Sequence, residues 1–225
     1  MNIMIMAPHP DDAELAIGGT IVSLTKNNNI FLLDMTNGEP TPHGSIETRL
    51  NEAKKAANIL NIKKRITLDL PNRYLQDTIE YRQAIAEKIR EYKPEILLIP
   101  YKIDAHPDHI ASHYLGLASR FYSKFTKSKM KGEPFYPSKL FFYFPSHMRI
   151  NIHPTFIYPV TEKEFQKKRQ AIRAYRSQFF YGKNKQIPEF IDIIGKYWGK
   201  LISSDYGEPF YTPEVIGIKD MGCIV

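Results

Sequence analysis

The chain has 225 residues, a formal net charge of +7, 43% hydrophobic and 24% charged residues, a composition that builds a sizeable core and excludes a disordered polypeptide. Its single cysteine, Cys223, excludes an intrachain disulfide and a zinc finger, so any metal must be held by nitrogen and oxygen ligands. The lysines are scattered along the chain, so no nucleic-acid partner is expected, and an anionic small substrate suits the charge equally well.

In chain order, the apolar run at 2–7 (NIMIMA) breaks abruptly into Pro8-His9-Pro10-Asp11-Asp12, the pattern of a buried strand that ends in a loop. Residues 14–26 predict a helix whose Gly18-Gly19 pair lets it approach the sheet closely. Strands are expected at 30–36, 65–70 and 95–100, with helices at 45–60 and 77–92 between them. A polar loop at 101–106 leads to Pro107, favourable in a helix's first turn, and a helical run that reaches 125. Strands at 139–144 and 155–160, a basic amphipathic helix over 161–178, a second helix over 188–201 and an extended tail lying on the body complete the chain. This alternation predicts an α/β fold: a Rossmann-like, mostly parallel sheet flanked by helices, in a single domain spanning 1–225 with an extended C-terminal segment. No stretch approaches the ~18 apolar residues of a membrane span. The N-terminus shows neither a basic leader nor a small-residue cleavage pattern, so a cytoplasmic location is expected.

Two clusters carry the chemistry. His9-Pro10-Asp11-Asp12 places an imidazole and two adjacent carboxylates just after a buried strand, where ligands gather in open parallel sheets. His9 and Asp12, three apart across a proline, can face one cation while Asp11 points elsewhere and stays unligated. His106-Pro107-Asp108-His109 also follows a strand end, and in a parallel sheet both clusters emerge on the same edge and can share one metal. Three ligands of His-Asp-His type with an open position describe a catalytic zinc site rather than a structural one. Taken alone, HPDD also fits a turn with Asp12 as helix N-cap and His9 as a satisfied polar contact. His113, a helical turn after His109, is either an extra ligand or a helix-flank residue. A nucleotide-binding reading fails, because no glycine-rich phosphate loop follows the first strand and an acidic HPDD repels phosphate.

The stretch from Ala7 to Glu14 resembles the AHPDDxE signature of the PIG-L/LmbE-like de-N-acetylases, and HPDH at 106–109 resembles their second motif. The likeness extends to Thr36-Asn37-Gly38-Glu39 with Gly44, to Arg49 and Glu52, and to YRSQF at 175–179. It is nearest to the bacillithiol-biosynthesis deacetylases, which act on an N-acetylglucosamine conjugate of malate; other relatives act on mycothiol precursors, chitobiose or glycosylphosphatidylinositol precursors. The resemblance implies that His9, Asp12 and His109 bind zinc or another divalent metal, with Asp11 as general base. It also implies that His106 stabilises the oxyanion, that Asp108 orients His106, and that Arg49 contacts the sugar or its aglycone; in that role His106 is expected to be cationic, kept so by Asp108. Asn72, in Pro71-Asn72-Arg73, stands where many relatives carry an aspartate associated with sugar-hydroxyl recognition, and Pro8 stands where relatives usually have alanine or glycine. Glu14 is expected to be structural.

The expected function is therefore a zinc-dependent hydrolase that removes the N-acetyl group from an N-acetylglucosamine conjugate, a small and anionic amino sugar. The expected assembly, by resemblance, is a homo-oligomer, trimer or hexamer. The competing readings are a deacetylase of a chito-oligosaccharide or antibiotic sugar, and a carbohydrate-binding protein without turnover.

Overall fold

The alternating side-chain direction of the continuously apolar first strand divides the core in two. In the computed structural model, which describes residues 1–145 and 151–218, β1 (Asn2–Ala7) is buried along almost its whole length. Ile3, Ile5 and Ala7 point into one apolar cluster, while Met4 and Met6 point into the other, because successive strand side chains face opposite sides of a sheet. Each layer of helices covers one of these clusters. The first packs α1 (Asp12–Leu24), α2 (Ile46–Ile59) and α5 (Glu162–Ala174). The second packs α3 (Ile79–Tyr92) and α4 (Pro107–Tyr122) through Ile85, Ile89 and Leu115.

The remaining elements are β2 (Asn29–Thr36), β3 (Lys64–Leu70), β4 (Ile96–Pro100), β5 (Lys139–Tyr143), β6 (Phe156–Val160), α6 (Arg176–Phe179), α7 (Ile187–Lys200) and β7 (Tyr206–Tyr211). They form one sheet in the order β3-β2-β1-β4-β5-β7-β6. The first five strands are parallel, and β7 runs antiparallel to both β5 and β6. The chain winds outward from β1 through β2 to β3, then returns to β4 on the other side of β1. That reversal opens a crevice at the carboxyl ends of β1 and β4, the place where open α/β sheets bind ligands.

The observed fold is the expected mostly parallel sheet with flanking helices, refined at three places. The start of the extended tail is a full strand, β7, inserted between β5 and β6, and it carries the buried Glu208 into the core. Residues 219–225, with Cys223, lie outside the described residues. The helix expected over 161–178 breaks at Tyr175 (φ −83°, ψ 65°) into α5 and α6. Tertiary bonds offset the break: the buried Tyr175 hydroxyl donates to Glu14 Oε1 at 2.6 Å, and Ser177 donates from its N–H and hydroxyl to Glu52.

The third place is α1, where Ile17 leaves helical geometry (φ −131°, ψ 24°). The N–H groups of Gly19 and Thr20 are taken by the Glu208 carboxylate at 3.0 and 2.7 Å. Lys168 from α5 bridges the break, donating to Ala16 O at 3.2 Å and to Glu208 at 2.6 Å. The two glycines permit this approach: a Cβ at Gly18 would stand 2.8 Å from Lys168 Cγ, and one at Gly19 would stand 2.5 Å from Val160 Cγ1 in β6. Among the described residues no helix is long and apolar enough to cross a membrane.

Candidate active site

The loop after β1 is fixed from its neighbour, since Pro8 O accepts from both the N–H and the hydroxyl of Thr36 at the end of β2. The loop then turns so tightly that Asp12 Oδ2 accepts from the His9 N–H at 3.0 Å. Asp11 adopts φ 120°, a backbone region that side-chain-bearing residues rarely enter and that costs about 1–3 kcal/mol. Asp12 is the first residue of α1, and its carboxylate does not cap the helix. It faces two imidazoles instead, His9 Nδ1 at 3.1 Å and His109 Nε2 at 3.3 Å.

Each of those histidines is held from behind by another carboxylate. Asp108 Oδ2 lies 3.0 Å from His9 Nε2, and Asp104 Oδ1 lies 3.0 Å from His109 Nδ1. This turns Nδ1 of His9 and Nε2 of His109 inward, the arrangement in which an outer carboxylate fixes the tautomer of a metal-ligating histidine. Asp108 is itself anchored by the N–H groups of Arg73 (2.7 Å) and Leu75 (3.3 Å), so the loop after β3 is tied to the start of α4.

One ligand atom each from His9, Asp12 and His109 lie within 4.8 Å of one another, and both imidazole-to-carboxylate separations match the ~3.3 Å edge of a tetrahedron with metal bonds of about 2.0–2.1 Å. The electrostatics fit a divalent cation as well. Burial opposes charge on His9, yet Asp108 and Asp12 raise its pKa to about 9; burial likewise opposes charge on His109, yet Asp12 and Asp104 raise it to about 10. Against the effect of its own burial, the two imidazoles hold Asp12 well below the usual carboxylate range. The carboxylates that favour positive charge on these imidazoles favour a divalent cation between them for the same reason. A second grouping, of His9, His106 and Asp108, shares His9 with the first.

His106 caps α4: its Nδ1 accepts from the Asp108 N–H at 3.1 Å. An acceptor Nδ1 is unprotonated, so the proton sits on Nε2. Burial, with His9 and His109 beside it, lowers the His106 pKa. Asp108 therefore orients His106 through its backbone, whereas its carboxylate engages His9; the neutral Nε2–H form replaces the cation expected from the sequence.

Asp11 is outside the His9-Asp12-His109 group. Arg49 Nη2 donates to Asp11 Oδ2 at 2.9 Å and to Pro10 O at 2.5 Å. Burial pushes the Asp11 carboxyl up to about 7, with Arg49 opposing that rise. Arg49 was expected at the sugar or its aglycone; it stands at the site, but its side chain is only 4% exposed and faces inward. Asn72 is half-buried in the turn between β3 and Arg73. His113 donates Nδ1–H to Pro100 O at 2.8 Å and packs on Phe142, so it is a helix-flank residue apart from the cluster. Glu14, fully buried, pairs with Arg65 and Tyr175 on the far side of α1, the structural role expected of it.

Asp104 lies in the 101–106 segment, which the sequence marks only as a polar loop. The available signal was a carboxylate two residues before a His-rich motif, the spacing from which its Oδ1 also accepts the His106 N–H at 2.8 Å.

The model of the PIG-L family, described as GlcNAc-PI de-N-acetylase, matches residues 4–119, the segment that contains both clusters. The chain is 29% identical to the diacetylchitobiose deacetylase of Thermococcus kodakarensis, over 92% of this chain and 81% of that one. It is 28% identical to the "Probable N-acetyl-alpha-D-glucosaminyl L-malate deacetylase 2" of Bacillus anthracis, over 79% of this chain and 81% of that one. The crystal structure of the conserved protein TT1542 from Thermus thermophilus superposes with a TM-score of 0.89 at 33% identity, over 96% of this chain and 97% of that one. With the two motifs set at the switch point of the sheet, the chain belongs to the PIG-L family and is an N-deacetylase acting on N-acetylglucosamine-type substrates.

Proposed function

We propose that the protein hydrolyses the acetamide of an N-acetylglucosamine conjugate that bears a carboxylate, of the glucosaminyl-malate type, at a zinc site formed by His9, Asp12 and His109. The observation that carries this reading is the pair of carboxylate-backed histidines converging on Asp12, with the carboxylate of Asp11 alongside and outside the ligand group. When bound, zinc or another divalent cation supplies Lewis acidity that polarises an acetyl carbonyl and lowers the pKa of water from ~15.7 to about 7. Asp11 takes the proton of the attacking water and delivers it to the departing amine. His106 donates Nε2–H to the oxygen that gains charge in the tetrahedral intermediate, a contact worth about 3 kcal/mol. Asp108 steadies both neighbours, His9 through its carboxylate and His106 through its N–H. Asn72 contacts a sugar hydroxyl, a role supported by its place next to Arg73, whose N–H reaches Asp108.

One sheet joins strands from residue 2 to residue 211, which supports a single deacetylase domain over 1–225. The family resemblance supports a homo-oligomer, trimer or hexamer, and a cytoplasmic location is part of the same proposal. A second reading, a chito-oligosaccharide substrate, is favoured by the likeness to the Thermococcus diacetylchitobiose deacetylase over 92% of this chain. The experiment is metal analysis of the purified protein with an acetate-release screen over glucosaminyl-malate, diacetylchitobiose and glycosylphosphatidylinositol-type N-acetyl sugars. Preferred turnover of the malate conjugate supports the proposal and preferred turnover of diacetylchitobiose selects the second reading. Absence of acetate from every sugar in metal-loaded protein rules out both.

A further inference from the structure

We propose that Arg49 is a positioning residue for Asp11, holding the Asp11 carboxylate beside the metal ligands and out of their number; this rests on the reading of Asp11 as the proton-transferring base. Asp11 sits at φ 120° between Pro10 and the metal-facing Asp12. A backbone so placed relaxes unless something outside the loop retains it. Among the described side chains, the hydrogen bond that reaches the Asp11 carboxylate comes from Arg49. A single nitrogen, Nη2, donates both to Pro10 O and to Asp11 Oδ2, so it grips the backbone just before Asp11 together with the Asp11 side chain.

The grip is built from several elements. Ser45 caps α2 by accepting the Thr48 N–H, and Glu52, one turn beyond Arg49, binds Ser177 of α6 by two hydrogen bonds. Those contacts set the height and rotation of the helix that delivers the guanidinium. Tyr175 lies under it at 5.5 Å, and Gly38, at φ +78°, closes over it so tightly that a Cβ there would stand 3.2 Å from Arg49 Nε. Arg49 Nε and Nη1 are also buried, without hydrogen-bond partners among the described residues. Nη2, the remaining guanidinium nitrogen, is engaged twice, and the described hydrogen-bond partners of Arg49 all belong to the Asp11 loop.

The test measures kcat and KM of zinc-loaded Arg49→Ala, Arg49→Lys and Asp11→Asn, and of the Arg49→Ala/Asp11→Asn double variant, on neutral diacetylchitobiose and on a carboxylate-bearing glucosaminyl-malate. Removing the grip should leave zinc content at wild-type level and KM nearly unchanged. It should lower kcat on the order of 100-fold on both substrates alike, the scale of a ~1 Å misplacement of a reacting group. Free guanidinium at millimolar concentration should restore part of the kcat of Arg49→Ala, and the double variant should be no slower than Asp11→Asn. Guanidinium rescue and the absence of further loss in the double variant are outcomes that a purely structural arginine does not produce. If Arg49→Ala does not fold, the same two-substrate comparison on Arg49→Lys decides. A loss confined to KM for the carboxylate-bearing substrate, an unchanged kcat, or an additive loss in the double variant overturns the proposal while the base reading stands. A fully active Asp11→Asn overturns the base reading itself.

Discussion

Replacing Asp104 by alanine tests whether the carboxylate behind His109 sets its metal-binding nitrogen. In the structure Asp104 Oδ1 lies 3.0 Å from His109 Nδ1, with an Asp104 side chain fully removed from solvent. That contact leaves Nε2 directed at Asp12, 3.3 Å away. Without it the imidazole is free to rotate and to exchange tautomers, and ligand partners of this kind contribute ~10–100-fold to metal affinity, or about 1.4–2.8 kcal/mol. Asp104 also accepts the His106 N–H at 2.8 Å, so alanine should cost about 1 kcal/mol of folding stability besides. Asparagine keeps an acceptor oxygen without the charge and should fall near the lower end, about tenfold in affinity. The assay is competition for zinc between each variant and a chromophoric chelator, with acetate release measured in limiting and saturating zinc. Activity should fall in limiting zinc and largely return at saturation. A folded Asp104→Ala that binds zinc as tightly as the wild type would refute the reasoning, because His109 would then need no partner on Nδ1.

Asp11→Asn should keep its metal and lose most of its turnover, since an amide is a poor base of nearly the same shape, whereas His9→Ala should lose metal first; elemental analysis beside acetate release separates the two patterns. Lys168→Met should cost about 3–5 kcal/mol by urea unfolding, because it strands the Glu208 carboxylate inside the broken α1. Lys168→Met combined with Glu208→Gln should recover much of that loss, and equal stabilities of the single and double variants would contradict the ion-pair account. Gly19→Ala should destabilise by about 1–3 kcal/mol through the 2.5 Å approach of its new Cβ to Val160 Cγ1. Adding Val160→Ala should relieve part of it, and a Gly19→Ala protein as stable as the wild type would show that α1 can move away from β6.

Much of the site was legible because its signals are local. The run NIMIMA followed by HPDD marks a strand end by its abrupt loss of hydrophobicity, and the same break recurs where Ile96–Pro100 leads to HPDH. Once the strands are parallel, both clusters emerge on one edge and can share a metal, while the choice of His9, Asp12 and His109 within them came from the family resemblance. The glycine pair in α1 likewise announced a close approach, realised against Val160 and Lys168.

What tertiary structure decided depends on partners far away in the chain. Nothing near Glu208 in sequence marks it as the cap of a broken helix 189 residues earlier, and the tail that carries it becomes a sheet strand only through its pairing with β5 and β6. The helix expected over 161–178 breaks at Tyr175 because buried bonds to Glu14 and Glu52 outweigh local helical preference. Asp108 stands next to His109 in sequence yet binds His9, 99 residues away, and Arg49, expected at the sugar or its aglycone, is a buried partner of Asp11. Hydrophobic periodicity specifies which face of an element is buried. The nitrogen that each carboxylate meets is set by how the elements pack, because a buried charge must find its partner wherever the packed chain brings one within reach.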